Sequence, residues 1–508
     1  MNNRPAASIA LLALTIATAS CAVGPDFARP AAPAISRFTD GPLPAATASA
    51  PTIGGGAQHF SDGAEVPARW WTLFGSAGLD RLIDSALRAN PDLQAAEAAL
   101  RAAQENAAAQ RGAFFPSVDA QYQPTRQRVA DPVASSAASG SDLYTLHTAQ
   151  LNIAYVPDVF GGVRRQVELA GAQADVARFQ RHAVYLTLTS NLVAAAIQEA
   201  SLRAQLQATR ELVALTARQL DMVNTQQKVG QLGAADVAAQ EAVLAQFEAT
   251  LPPLEKQLAQ QRDLLAALSG RFPAENEAPH FELAALTLPD ALPLSVPAQL
   301  LEQRPDIRAA EAQLHAASAQ IGIATAARLP NISLTAALGS SALDTSTLFH
   351  SGTGFWSIGA DLVQPIFRGG TLLHEQRAAT AAYDQAAAQY RGTVLTAFQN
   401  VADTLHAIDA DAKTLRAALA AERAAYRSLA IAQRQRELGM INSVAMIQAQ
   451  QTYQQAVIGL VQAQASRFAD SVALFQALGG DWRSGAATTA GAPAPDLRPA
   501  GDNQRLYY

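Results

Sequence analysis

Few side chains in this chain could carry out chemistry, and they are scattered. The single cysteine is Cys21. It follows Thr18-Ala19-Ser20, and small residues before a cysteine are the setting in which a thiol takes a lipid and becomes a mature N-terminus. With no second cysteine, Cys21 has no disulfide partner within the chain. The eight histidines (His59, His147, His182, His280, His315, His350, His374, His406) contain no His-x-x-x-His pair that would hold a metal. No Gly-x-x-x-x-Gly-Lys loop, Gly-x-Gly-x-x-Gly turn or Gly-x-Ser-x-Gly elbow is present. Gly161-Gly162 and Gly369-Gly370 could suggest phosphate cradles, but both fall where a strand meets a helix and read as structural junctions. No catalytic set, metal site or cofactor site is expected, and the chain does not read as an enzyme. The expected modification is covalent lipid on Cys21, diacylglyceryl on sulfur and an acyl chain on nitrogen.

The elements around Cys21 fit that chemistry. Arg4 and the short apolar run Ile9 to Ala17 read as a signal peptide over residues 1–20, too short to span a bilayer. Thr18 stands where Leu or Val is usual before a lipidated cysteine. Residues 21–67 are rich in Pro, Ala, Gly and Ser and read as an extended strap. A net charge of -6, with both signs interspersed and no basic block, argues against nucleic acid as a partner. After the leader no stretch reaches the ~20 continuous apolar residues of a membrane helix. Membrane contact must therefore come from lipid or from strands.

Four segments alternate apolar and polar residues at period two. They are Ser117–Gln123, Thr148–Tyr155, Asn331–Leu338 and Trp356–Leu362. Strands are expected at about 116–124, 147–157, 331–339 and 354–365. One apolar and one polar face is what a strand shows between lipid and water. Four strands cannot close a membrane barrel, and an open edge is not tolerated in lipid, so a barrel shared between copies of the chain is expected. Phe355 and Trp356 are expected in an interfacial aromatic girdle, and Arg126–Thr145 and Gly339–Ser351 as loops.

The chain also repeats itself. Asn90-Pro91-Asp92-Leu93 returns as Arg304-Pro305-Asp306-Ile307, and Phe115-Pro116 returns as Leu329-Pro330 at the same spacing. Pro157–Gly162 and Val229-Gly230 return as Pro365–Gly370 and Leu438-Gly439 at nearly that spacing. Each half reads helix, strand, strand, long helix, turn, helix, over 68–285 and 286–482, followed by a tail at 483–508. Gly161 to Val229 and Gly369 to Leu438 contain no proline. At ~1.5 Å per residue each helix extends roughly 100 Å. Glycine turns at 229–236 and 438–443 end these arms, with Asp236 and Ser443 placed to cap the returning helices.

These residues resemble the outer-membrane factor family, the TolC-like channel-tunnels of tripartite efflux and type I secretion. The match is closest to the lipoprotein branch that works with RND-type pumps. It is carried by Cys21-Ala22-Val23-Gly24-Pro25-Asp26-Phe27 with Pro30, Trp70-Trp71-Thr72-Leu73-Phe74, both Pro-Asp motifs, Phe115-Pro116, Leu329-Pro330 and the two turns. It covers about Cys21 to Trp482. The resemblance implies an α+β membrane channel, a homotrimer whose twelve-stranded barrel continues into a periplasmic helical barrel. Its implied partners are a periplasmic adaptor, an inner-membrane RND-type pump and outer-membrane lipid, in a Gram-negative cell. It further implies adaptor contacts at Val229, Gly230, Gln231, Leu232 and Gly233 and at Leu438, Gly439, Met440, Ile441, Asn442 and Ser443. The implied periplasmic gate lies at Asp236 and Gln448, where Gln448 replaces a common Asp. Asp236 reads equally as a helix cap.

The expected function is passive export of drugs or other toxic organics. A type I protein-secretion conduit is the alternative on the same fold, and a periplasmic lipoprotein without a pore is the alternative of another class.

Overall fold

The computed structural model describes residues 22–128, 143–275, 279–438, 440–441 and 443–480, apart from the side chains at 437 and 443. Cys21, the segment 1–20, Gly439, Asn442 and the tail 483–508 lie outside the described residues. So does most of the loop expected at Arg126–Thr145.

The chain forms two compact units, each drawing on both halves of the sequence. The first takes the chain up to Ala31, Ala95–Arg181 and Asp306–Leu395; the second takes Ala32–Gln94, His182–Pro305 and the chain from Thr396. Strand β1 is His59–Asp62, followed by the helices α1 (Ala77–Ala89) and α2 (Pro91–Arg111). Strands β2 (Ser117–Arg128) and β3 (Leu143–Tyr155) lead into α3 (Gly162–Lys228). Helices α4 (Ala234–Glu248) and α5 (Leu251–Leu268), strand β4 (Ala291–Leu294) and helices α6 (Pro297–Gln303) and α7 (Pro305–Ala326) come next. Strands β5 (Asn331–Ala342) and β6 (Gly354–Val363), then helices α8 (Thr371–Glu437) and α9 (Ser443–Ala477), complete the described chain.

Unit 1 holds a four-stranded antiparallel sheet in the order β2-β3-β5-β6. Pro124 pairs with His147 inside β2, which is possible because β2 is an edge of this sheet. The strands run past the alternating stretches: β2 continues to Arg128, β3 begins at Leu143 and β5 reaches Ala342. The loops expected at Arg126–Thr145 and Gly339–Ser351 are shorter by those residues.

Unit 2 is built on the helices and the strap. Trp70, Trp71 and Phe74, on a 3-10 turn at Trp70–Phe74, are buried with Phe468 and Phe475 of α9. The rings of Trp70 and Phe475 lie 5.2 Å apart, and those of Trp70 and Trp71 meet edge-on at 6.0 Å. The strap is more than an extended tether. Its β1 pairs in parallel with β4, a strand that the turn-rich sequence around Pro289 and Pro293 conceals. Buried Gln58 donates from Nε2 to Pro289 O at 3.0 Å and to Ser471 Oγ at 3.0 Å. The returning arm of the first hairpin is two helices, interrupted at Ala249–Thr250, because Pro252 and Pro253 have no N–H to continue the ladder. The second returning arm, without proline, is the single helix α9.

The two Pro-Asp motifs form matching clasps. Asn90 and Arg304 are extended, as a residue before proline prefers. Asn90 Nδ2 donates to Leu268 O at 3.0 Å, the last carbonyl of α5. Arg304 Nη1 donates to Ala477 O at 2.9 Å, the last carbonyl of α9. Gly270 and Gly479 follow these helix ends with φ of +72° and +91°. A Cβ on Gly270 would strike the backbone of Ala89, and one on Gly479 would come 2.6 Å from Gln303 O. The clasps differ in one respect: Asn90 Oδ1 also caps α2, accepting from Asp92 N at 2.9 Å and Leu93 N at 3.1 Å.

Candidate functional site

The sheet of unit 1 has two chemically distinct faces, fixed by register. One row across all four strands is Val118, Ile153, Ala336 and Ile358; the next row on the same face is Ala120, Leu151, Leu338 and Trp356. The opposite face carries Asp119, Asn152, Ala337 and Ser357, then Gln121, Gln150, Gly339 and Phe355. The apolar face is uncovered among the described residues. Trp356 is 73%, Ile358 78% and Leu362 68% exposed. An exposed apolar face of this kind marks a surface that meets a membrane or another protein. The polar face is laced together by its amides: Gln121 Oε1 accepts from Gln150 Nε2 at 3.3 Å and from Asn152 Nδ2 at 3.1 Å. Trp356 lies on the apolar face as a girdle residue would. Phe355 does not: successive side chains of a strand point oppositely, so its ring lies on the polar face.

The matching sequence pattern comes from the family described as outer membrane efflux protein, over residues 82–271 and 296–480. The chain belongs to the outer membrane efflux protein family. It is 30% identical over 84% of its length to the pyoverdine export outer membrane protein OpmQ of Pseudomonas aeruginosa, covering 89% of that protein. It is also 30% identical over 91% of its length to the toluene efflux pump outer membrane protein TtgC of Pseudomonas putida, covering 93% of it. Among solved structures, the outer-membrane channel OprN superposes with a TM-score of 0.80 at 26% identity, over 91% of this chain and 100% of that one. As a family member the chain is an outer-membrane efflux component of a Gram-negative bacterium, in a family of channels rather than of enzymes.

Within this outer membrane efflux protein, the residues after Cys21 are clasped in unit 1. Val23 N donates to Phe160 O at 3.1 Å. Buried Arg165 of α3 donates to Val23 O at 3.2 Å, Gly24 O at 3.3 Å and Asp26 Oδ1 at 2.7 Å, and it pairs with Glu168 Oε2 at 2.7 Å. His315 of α7 stacks on Phe27 with ring centroids 4.4 Å apart, and its Nε2 lies 2.8 Å from Glu168 Oε1. Arg29 pairs with Glu311 at 3.1 Å. Sequence reasoning identified the Val-Gly-Pro-Asp-Phe segment but missed Arg165 and His315. Nothing local marks an arginine on a long helix as a strap ligand.

The arms end as helical tips in unit 2. At the first, Gly230 and Gln231 donate backward to Gln227 O and Gln226 O, both at 2.9 Å. Val229, Leu438 and Met440 are exposed, whereas Ile441 packs against the cluster of Leu429, Ala432, Met446 and Ala449. Asp236, the third residue of α4, accepts from Gly233 N at 3.3 Å as a cap. It also pairs with Arg436 of α8 at 3.6 Å. Gln448 is exposed on α9. The structure therefore puts the carboxylate of Asp236 against a cation and does not set it beside Gln448 in any described contact. Above the tips, Met222, Arg218, Gln240 and Met446 line a cavity of about 530 Å³ between α3, α4, α8 and α9.

Deeper in unit 2, α9 carries a buried charged group that the sequence pattern did not single out. Arg467 donates from Nη1 to Ile408 O at 2.9 Å and from Nη2 to Thr47 Oγ1 and Gly56 O, both at 3.2 Å. Asp470 beside it is pushed up to about 7 by burial first and then by the neighbouring Asp411, with Arg467 opposing.

Proposed function

We propose that this chain is the outer-membrane conduit of a tripartite efflux pump and passes small organic molecules from pump and adaptor to the exterior. The observation that carries the reading is the four-stranded sheet with one uncovered apolar face and one amide-rich face, whose outer strands β2 and β6 lack a further strand partner among the described residues. Open edges cannot persist in lipid. Three copies would join β2 to β6 of the next chain and close a twelve-stranded barrel, with Trp356, Ile358 and Leu362 toward lipid and the amides toward water. The two halves are then two copies of one unit, each supplying two strands and one helical hairpin. Cys21, lipidated, anchors the strap, and the Arg165–Asp26 clasp holds the following residues at the start of α3.

The tips are the adaptor contacts, through the exposed Val229, Leu438 and Met440 and the turn residues between them. The Asp236–Arg436 pair joins the start of α4 to the end of α8 and restrains the closed tip. Relatives of equal identity are named for pyoverdine and for toluene. Cargo choice therefore rests with the pump more than with the conduit.

The test is single-channel conductance of the detergent-extracted protein in a planar bilayer, with its mass in detergent. A trimer with small conductance that grows in Asp236→Asn and Arg436→Gln is the expected result. A monomer without conductance overturns the reading and leaves a non-pore lipoprotein.

A further inference from the structure

We infer that Phe355 forms a stacking station for flat aromatic cargo on the channel wall, a reading that rests on the conduit function proposed above. The row Gln121, Gln150, Gly339, Phe355 takes one residue from each strand, all on the polar face. Phe355 is the row's only apolar side chain. Its ring folds back along the row: a Cβ on Gly339 would lie 2.9 Å from Phe355 Cζ and 2.7 Å from Gln150 Cβ. One ring face is thus seated over a residue with no side chain, where the close approach is possible only because position 339 is glycine.

Covering a cross-strand glycine is one use of such a ring. A leucine would cover it equally well, and the phenyl side chain is only half-buried, so part of the ring surface stays accessible. An aromatic ring with accessible surface is what stacks planar rings, and the amides of Gln150, Gln121 and Asn152 on the same face of the sheet offer hydrogen bonds to ring substituents. Asp119 and Asp361 share this face through their registers with Asn152 and Ser333. The favoured occupant is therefore an aromatic solute that is neutral or cationic. In a closed trimer three such rings would line one level of the wall.

The experiment is current block in planar bilayers by two permanent monocations of matched charge, the flat N-methylacridinium and the aliphatic tetraethylammonium. Wild type and Phe355→Trp should hold N-methylacridinium about ten times longer than Phe355→Leu does, the size expected for one lost stacking contact. Tetraethylammonium block should be the same in all three. Phe355→Leu keeps the apolar cover over Gly339, so a purely structural ring predicts equal block in every variant, and that result overturns the stacking station while leaving the channel intact. Equal shifts for both cations overturn it as well, because they report pore size. A wild-type chain that forms no channel overturns the conduit reading and this one with it.

Discussion

In unit 1, the large side chains on the apolar face of β6 lie open: Trp356, Ile358 and Leu362 are exposed among the described residues. In unit 2 the reverse holds, and charged and amide groups are buried. Arg304, Arg467 and Gln58 are each under one-tenth exposed, and each donates to a backbone carbonyl: Ala477 O, Ile408 O and Pro289 O. A buried polar group that reaches a carbonyl avoids the desolvation penalty it would otherwise carry. Among the described residues the sheet ends at β2 and β6, and in the proposed conduit it is finished by lipid and by further copies. The helical clasps are complete within one chain. Substitutions in the two regions should therefore fail in different assays.

The largest effect is expected on the sheet. Ile358→Arg places a cation on the apolar face, at a cost of about 2–4 kcal/mol per chain near the bilayer midplane. Heat-stable oligomer in outer-membrane extracts should be lost. Ser357→Arg, one residue away on the opposite face, should leave it nearly intact. Equal loss in both would break the assignment of faces. Next in size is Gly479→Val, which forces a β-branched residue into a left-handed backbone against Gln303 O and should cost about 3 kcal/mol. Its readout is an earlier helical melt followed at 222 nm, with membrane insertion retained.

The two clasps separate further. Arg304→Met removes the donor to Ala477 O in a buried setting and should cost about 1–3 kcal/mol. Asn90→Ser keeps a hydroxyl acceptor to cap α2 and loses the donor to Leu268 O, a loss of about 1 kcal/mol. Asn90→Ala removes the cap as well and should add about 1 kcal/mol more. Thermal melts of the three variants rank the clasps. A melt of Asn90→Ser below that of Asn90→Ala would show that the cap carries none of the difference.

How far these regions can be read from sequence follows the same division. Period-two alternation marks Ser117–Gln123 and Trp356–Leu362 because one face of each strand is apolar and the other polar, and the strands there begin at Ser117 and Gly354. The ends of β2, β3 and β5 lie beyond the alternation, where pairing alone keeps the chain extended. Proline-free runs marked α3 and α8 to within two residues at each end, since only proline or glycine stops such alanine-rich helices. Pro252-Pro253 was visible, yet the break it makes was not drawn from it. Phe355 was assigned by residue type, whereas its neighbour across the strand, Gly339, decides which face it serves. Arg165, His315, Arg467 and Asp470 act through partners far away in sequence, and no spacing rule finds those.

Asp470 gives the most discriminating prediction. Its carboxyl ordinarily titrates near 3.8 and is raised to about 7 in the fold, chiefly by burial, with Asp411 adding to the shift. Between about pH 4 and pH 7 the unfolded chain releases this proton while the folded chain keeps it. The group's contribution is therefore full below pH 4, declines as pH rises to 7 and is constant above. Asp470→Asn cannot ionise, and its amide can donate to Asp411 where the carboxyl proton did. The variant should match wild type at pH 4 and exceed it at pH 8 by on the order of 1–2 kcal/mol, after discounting for the partly exposed carboxyl. The helical melt at the two pH values measures this difference, and a gap that stays constant from pH 4 to 8 would exclude a proton held at Asp470. The apolar face of the sheet carries no such group among the rows from Val118 to Ile358, so the oligomer loss in Ile358→Arg should not vary across that window. A shared pH dependence would mean that the two regions do not fail independently.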